Sequence, residues 1–202
     1  MNEETKKPAG SPEEDAALVR AFQSGDKTAF DALALKYRHK VFGICFWFLG
    51  DDQDAGDLAQ DTFLKVYRSL KKFRLEASFS TWLYRIATNT CKNRLKSSEH
   101  RQKKKRVCLD NPGSREVNHV SFETFEQSPS PMAELEKKER VMLIRKAIGA
   151  LPADKRTVIV LRDIEGLSYE EVSRITGHSL GTVKSRLSRA RQELWVKLRG
   201  VV

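Results

Sequence analysis

Between Asp15 and about Arg106, apolar residues recur at three- and four-residue steps: Leu18, Phe22, Phe30, Leu33, Leu35, Tyr37 and Val41 lead into an aromatic-rich run ending at Leu49. That period belongs to α-helices burying one face, and no alternating strand pattern competes with it. From Val107 to Glu136 the stripe is missing, and Pro112, Gly113, Pro129 and Pro131 appear among several Ser and Asn residues, as in a linker. Periodicity resumes from Leu135 through Val141, Leu143, Ile144, Ala147, Ile148 and Leu151 before Pro152. A further helix, about Ala153 to Ile164, is predicted to close at Gly166. The expected architecture is all-α: a disordered tail over 1–14, a helical domain over 15–106, a flexible acidic linker over 107–134 and a second helical domain over 135–202.

The last third carries the sharpest local signal. Ser168-Tyr169-Glu170-Glu171 has the capping-box form, so a short helix should start at Tyr169. It should end near Thr176, where Gly177 can take the left-handed turn and Ser179 can cap the next helix. In that next helix Leu180, Val183, Leu187, Ala190 and Leu194 share one side. Ser185, Ser188, Arg189 and Gln192 lie opposite, with Lys184 and Arg186 on the flanks. From Leu180 to Arg199, six basic residues against Glu193 give a net charge of +5. A helix, a tight turn and a basic helix together suit the major groove, where Arg can pair bidentately with guanine.

Overall charge agrees with a polyanionic partner: 37 Lys and Arg against 27 Asp and Glu leave +10. Charge alone does not choose among DNA, RNA and an anionic membrane. The longest apolar run, Val41 to Leu49, is far short of the roughly 20 residues that span a bilayer. The polar start has no secretory pattern, and a cytoplasmic location is expected. Cys45, Cys91 and Cys108 lack the number and spacing of a disulfide framework or zinc site, and the four histidines are scattered, so no metal or cofactor is expected. The 107–136 stretch has six carboxylates against Arg115, a net of −5; it reads either as a solvated spacer or as a mimic of nucleic acid.

Two further clusters stand out. Asp51, Asp52, Asp54, Asp57 and Asp61 place −5 within eleven residues. They satisfy a helix dipole, and they also offer a docking surface for a basic partner. Phe63, Tyr67, Phe73, Phe79, Trp82 and Tyr84 then adjoin a stretch, Tyr84 to Arg106, whose nine cations against Glu99 give +8. Aromatics beside a basic helix fit unpaired DNA, since bases stack on rings while cations follow the phosphates. Trp82 fits equally well as a core residue packed on Ile86.

Three motifs in order carry a resemblance: Asp54-Ala55-Gly56-Asp57-Leu58-Ala59-Gln60-Asp61-Thr62-Phe63, Phe79-Ser80-Thr81-Trp82-Leu83-Tyr84-Arg85-Ile86-Ala87, and Gly181-Thr182-Val183-Lys184-Ser185-Arg186-Leu187. The chain resembles the extracytoplasmic-function group of the sigma-70 family over roughly 15–106 and 135–199. The resemblance implies a region 2 helical bundle and a region 4 helix-turn-helix domain, and an alternative sigma factor that directs transcription initiation without being an enzyme. Its implied partners are core RNA polymerase through the beta-prime clamp and beta flap, promoter DNA, and an anti-sigma factor, commonly membrane-bound. It assigns Asp54, Asp57, Leu58, Gln60 and Asp61 to polymerase binding. It assigns Phe73, Glu76, Ala77, Ser78, Phe79, Trp82, Arg85, Asn89, Lys92, Asn93 and Lys96 to binding and melting the −10 element. Thr182, Lys184, Ser185, Arg186, Ser188 and Arg189 would read the −35 element.

Two positions depart from the family pattern. Gly56 stands where an acidic residue is usual, at a helical cost of about 1 kcal/mol relative to Ala, and Leu75 follows Phe73-Arg74 where Gly is frequent. Two rival classes remain. An ordinary helix-turn-helix regulator leaves the Asp51–Asp61 cluster without a role, and a metal-dependent enzyme on DNA needs convergent ligands that the pattern does not supply.

Overall fold

The computed structural model describes residues 11–106 and 131–199, and among them there is no β-strand. The first helix, α1 (Pro12–Gln23), starts inside the stretch assigned to the tail. Ser11 and Glu14 form a reciprocal capping box, and Pro12 occupies the first turn, where a missing N–H costs nothing. Asp15 is buried, bound by the Lys36 ammonium and the Tyr37 hydroxyl of α2 (Thr28–Leu49), so the first turn is tied down rather than loose.

Helix α2 is the central rod. Leu33, Val41, Ile44 and Cys45 are inaccessible along it, and Gly50 ends it in the left-handed conformation at φ 79°. Asp51 caps α3 (Asp52–Leu70) by accepting from the Asp54 amide at 2.8 Å. Helix α3 runs unbroken through Gly56 and buries Ala55, Leu58, Ala59, Thr62, Val66 and Leu70. After a loop, Ser78 accepts from the Thr81 amide at the start of α4 (Phe79–Arg106). Leu83, Ala87 and Cys91 of α4 complete this core, with the Cys91 thiol 3.8 Å from that of Cys45. That proximity has no signal in sequence spacing; both thiols are free.

Most of the 107–134 stretch lies outside the described residues, as does Cys108. Helix α5 (Pro131–Gly149) begins at Pro131, four residues before the expected resumption, because proline is favoured in a first turn. The helix expected over 153–164 has the right ends but two geometries. Helix α6 (Ala153–Ile159) passes into a π-helical turn over Val160–Ile164, and the Glu165 amide reaches back five residues to the Val160 carbonyl at 2.9 Å. Helices α7 (Tyr169–Thr176) and α8 (Leu180–Leu198) follow the expected pattern: the Ser168/Glu171 capping box, Gly177 at φ 71° and the Ser179 cap are all present.

The two halves pack on one another. The buried Arg156 guanidinium donates to the Phe48 carbonyl at the end of α2 and to the Gly149 and Leu151 carbonyls at the end of α5, groups that no helical amide can satisfy. Arg145 lies 4.4 Å over the Phe46 ring. Glu165 enters between α2 and α4 beside Gly43, where a methyl would meet its Oε1 at 3.3 Å. At Gly43, which interrupts the apolar run of α2, an added methyl would require the Glu165 side chain to shift by a few tenths of an ångström.

Candidate polymerase and nucleic-acid interfaces

Helix α3 turns Asp54, Asp57, Gln60 and Asp61 outward, as their spacing requires. Leu58 is 5% exposed and packs in the core, because one position on from Asp57 the helix has rotated inward. Leu64, 48% exposed, lies on the acidic side, three and seven positions beyond Asp61 and Asp57. Arg94 of α4 donates to Asp54 at 3.1 Å, so that carboxylate already has a partner.

The residues assigned to the −10 element divide in two. Around the loop, Phe73 and Trp82 are half-buried and stack at 4.5 Å and 21°, while Glu76 is exposed and pairs with Arg74 at 4.0 Å. Ala77 is half-buried, and the Ser78 hydroxyl serves as the cap of α4, contacting Thr81 Oγ1 at 2.8 Å. Phe79 is 2% exposed, its ring centroid 5.4 Å from that of Tyr37, and lies beneath the loop. Along α4, Arg85, Asn89, Lys92, Asn93 and Lys96 lie on one outward face at helical spacing.

Two cations of that face are engaged by the other half. Arg85 Nη2 donates to the Arg174 carbonyl at 2.5 Å, and Lys92 pairs with Asp154 at 2.9 Å. Lys92 in turn holds the Asp154 carboxyl below the usual carboxylate range, assisted by Arg186.

On α8, Lys184, Ser185, Ser188 and Arg189 are exposed together, and Thr182 is half-buried in the first turn, its hydroxyl 2.9 Å from that of Ser179. Val183, Leu187 and Ala190 are buried as expected, but Leu180 is 40% exposed at the helix start, beyond the reach of the core. Arg186 turns away from the free face. Its Nη1 lies 2.6 Å from His178 Nε2 and 3.7 Å from Asp154. Burial and the neighbouring Arg186 charge lower the His178 pKa, which leaves the ring nitrogen free to accept. Sequence reasoning missed His178 and Asp154, since each engages a cation of α4 or α8 through a contact with no local signature.

Residues 33–101 match Sigma-70 region 2, and residues 133–194 match Sigma-70, region 4. The RNA polymerase sigma-H factor of Pseudomonas aeruginosa is 41% identical over 189 residues, spanning 90% of this chain and 92% of that protein. The chain belongs to the sigma-70 family of RNA polymerase sigma factors. Its extracytoplasmic-function character rests on the ECF RNA polymerase sigma-E factor of Escherichia coli K12, 37% identical over 195 residues and covering 93% and 96% of the two chains. The same fold occurs in a sigma factor RpoE of Bartonella quintana, solved in complex with the anti-sigma factor NepR: TM-score 0.63, 23% identity, 86% of this chain and 98% of that one. As a sigma-70 family member the chain is a regulatory factor of transcription initiation. Among the described residues no helix is long and apolar enough to cross a membrane, and no cluster of His, Cys, Asp and Glu could hold a metal ion.

Proposed function

We propose that this cytoplasmic sigma factor docks on core polymerase through the exposed α3 carboxylates Asp57 and Asp61 with Leu64. In this reading the basic face of α4 takes the −10 element and Lys184, Ser185, Ser188 and Arg189 of α8 take the −35 element. It forms and breaks no covalent bond. The observation that carries the reading is the distribution of charge. Two separate cationic helix faces stand on either half of one chain, with a carboxylate face on the helix between α2 and α4.

Simultaneous reading requires the halves to part. Elements about 25 base pairs apart at ~3.4 Å each are separated by roughly 85 Å, beyond the span of a packed chain of this size. Between Arg106 and Pro131 run 24 residues, a tether of at most ~3.3–3.6 Å per residue, or about 80 Å. Opening releases Arg85 from Arg174 and Lys92 from Asp154. It exposes surfaces that an anti-sigma factor, of the kind bound to the Bartonella quintana relative, could hold instead.

The deciding experiment is footprinting with and without core polymerase. Protection of both elements only when core is present supports the reading. Strong protection by the chain alone favours an ordinary helix-turn-helix regulator, and magnesium-dependent nicking would point to an enzyme on DNA.

A further inference from the structure

The loop between α3 and α4 contains an unfavourable backbone shape, and a side chain of α1, outside the three motifs, is hydrogen-bonded to its start. Leu75 has φ 57°, the one non-glycine residue in the left-handed region among those described. A side chain there is costly, because the Cβ crowds the following carbonyl oxygen, so the conformation persists only where the surroundings impose it. Leu75 is half-buried and packs on the core, which restrains one side of the loop.

The other restraint comes from α1. Gln23 Nε2 donates to the Leu70 carbonyl at 3.1 Å and to the Phe73 carbonyl at 2.8 Å, across about fifty residues of sequence. Leu70 closes α3, and its carbonyl also accepts from the Phe73 amide at 3.1 Å, so the Gln23 side chain joins a backbone-closed turn to a carbonyl of the loop that follows. Phe22, with its ring 5.3 Å from Tyr67 of α3, anchors the turn of α1 that carries Gln23. Phe73, whose carbonyl Gln23 fixes, is the residue whose ring stacks on Trp82.

We propose that Gln23 is a positioning residue for promoter melting: it clamps the α3–α4 loop so that the Phe73–Trp82 stack and the Glu76–Ser78 segment are preset to receive unpaired bases. The inference rests on the sigma-factor reading above. A preset loop has no ordering cost at the moment a base leaves the duplex, which is where such a clamp acts.

The test compares wild type, Gln23→Ala, which removes the donor, and Gln23→Lys, which keeps a donor directed at the end of α3. Amide hydrogen exchange on the full chain comes first and needs no promoter. Exchange should quicken across residues 71–78 in Gln23→Ala, stay slow in the helices, and return toward wild type in Gln23→Lys. Unchanged exchange in Gln23→Ala would mean there is no clamp. Next, holoenzyme made with each variant is offered a single-stranded −10 oligonucleotide and a −35 duplex, both from a promoter that the wild-type holoenzyme transcribes. Gln23→Ala should lose about tenfold for the unpaired strand, the factor that two neutral hydrogen bonds supply, with the −35 duplex unaffected and Gln23→Lys largely restored. A looser loop with undiminished strand binding overturns the proposal. Parallel losses on both DNAs do so too, because they mark general destabilisation. If no promoter is transcribed by wild type, the sigma-factor reading itself fails, and the exchange result separates that failure from the absence of a clamp.

Discussion

Replacing Glu165 with Gln should make the chain more stable in mild alkali and leave it unchanged in acid. The Glu165 carboxyl is enclosed where the two halves meet, and burial raises its pKa from 4.5 to about 7 against a partial counter-effect from Lys40. An acid whose pKa rises on folding favours the folded state while it is protonated. That contribution is complete below about 4.5 and is lost as pH climbs through about 7. At about 1.4 kcal/mol per pH unit the difference has a ceiling of about 3 kcal/mol, and the part of the carboxyl that solvent still reaches lowers it toward 1–2 kcal/mol. Gln fills the same space beside Gly43 without the charge. Urea denaturation near pH 8 should therefore show Glu165→Gln more stable by about 1–2 kcal/mol, with the gap closing near pH 4.5. A gap of equal size at both pH values, or a variant less stable than wild type near pH 8, would refute the reasoning.

Three other outcomes are expected. Arg189→Ala should cost about 1–3 kcal/mol of −35 binding and relax preference at one base step, as measured by competition among singly substituted promoters; equal loss on all of them would assign Arg189 to phosphate contact. Gly56→Ala should raise stability by about 1 kcal/mol in a denaturant titration, because α3 is continuous there and an added Cβ meets no atom within 4 Å; a lower midpoint would contradict this. The double variant Asp57→Asn, Asp61→Asn should slow association with core polymerase and flatten its salt dependence at unchanged melting temperature, since both carboxylates are exposed.

What the sequence revealed and concealed follows the range of the interactions. The α7–turn–α8 unit was legible to the residue because Ser168, Glu171, Gly177 and Ser179 act on neighbours three or four positions away. Periodicity likewise located most of the α2 core, although Leu35 of the stripe is 62% exposed, but it did not turn Leu58 inward, nor show that Phe79 lies under the loop. Leu75 was visible as a departure from the family, and the backbone gives the reason: the position requires a positive φ, which Gly adopts without strain. The packing of the halves was illegible. It depends on Arg156, Glu165 and Asp154 meeting partners more than sixty residues away, and single-residue polar contacts at such range leave no periodic trace.

The central claim is that this chain confers promoter choice on an enzyme that lacks it. Run-off transcription measures that directly, with purified core polymerase and fragments of the source genome, in the presence and absence of the chain. Discrete transcripts that appear only with the chain, and fade when Asp57 and Asp61 or Lys184 and Arg189 are neutralised, are the predicted result. Transcript patterns identical with and without it would contradict the account.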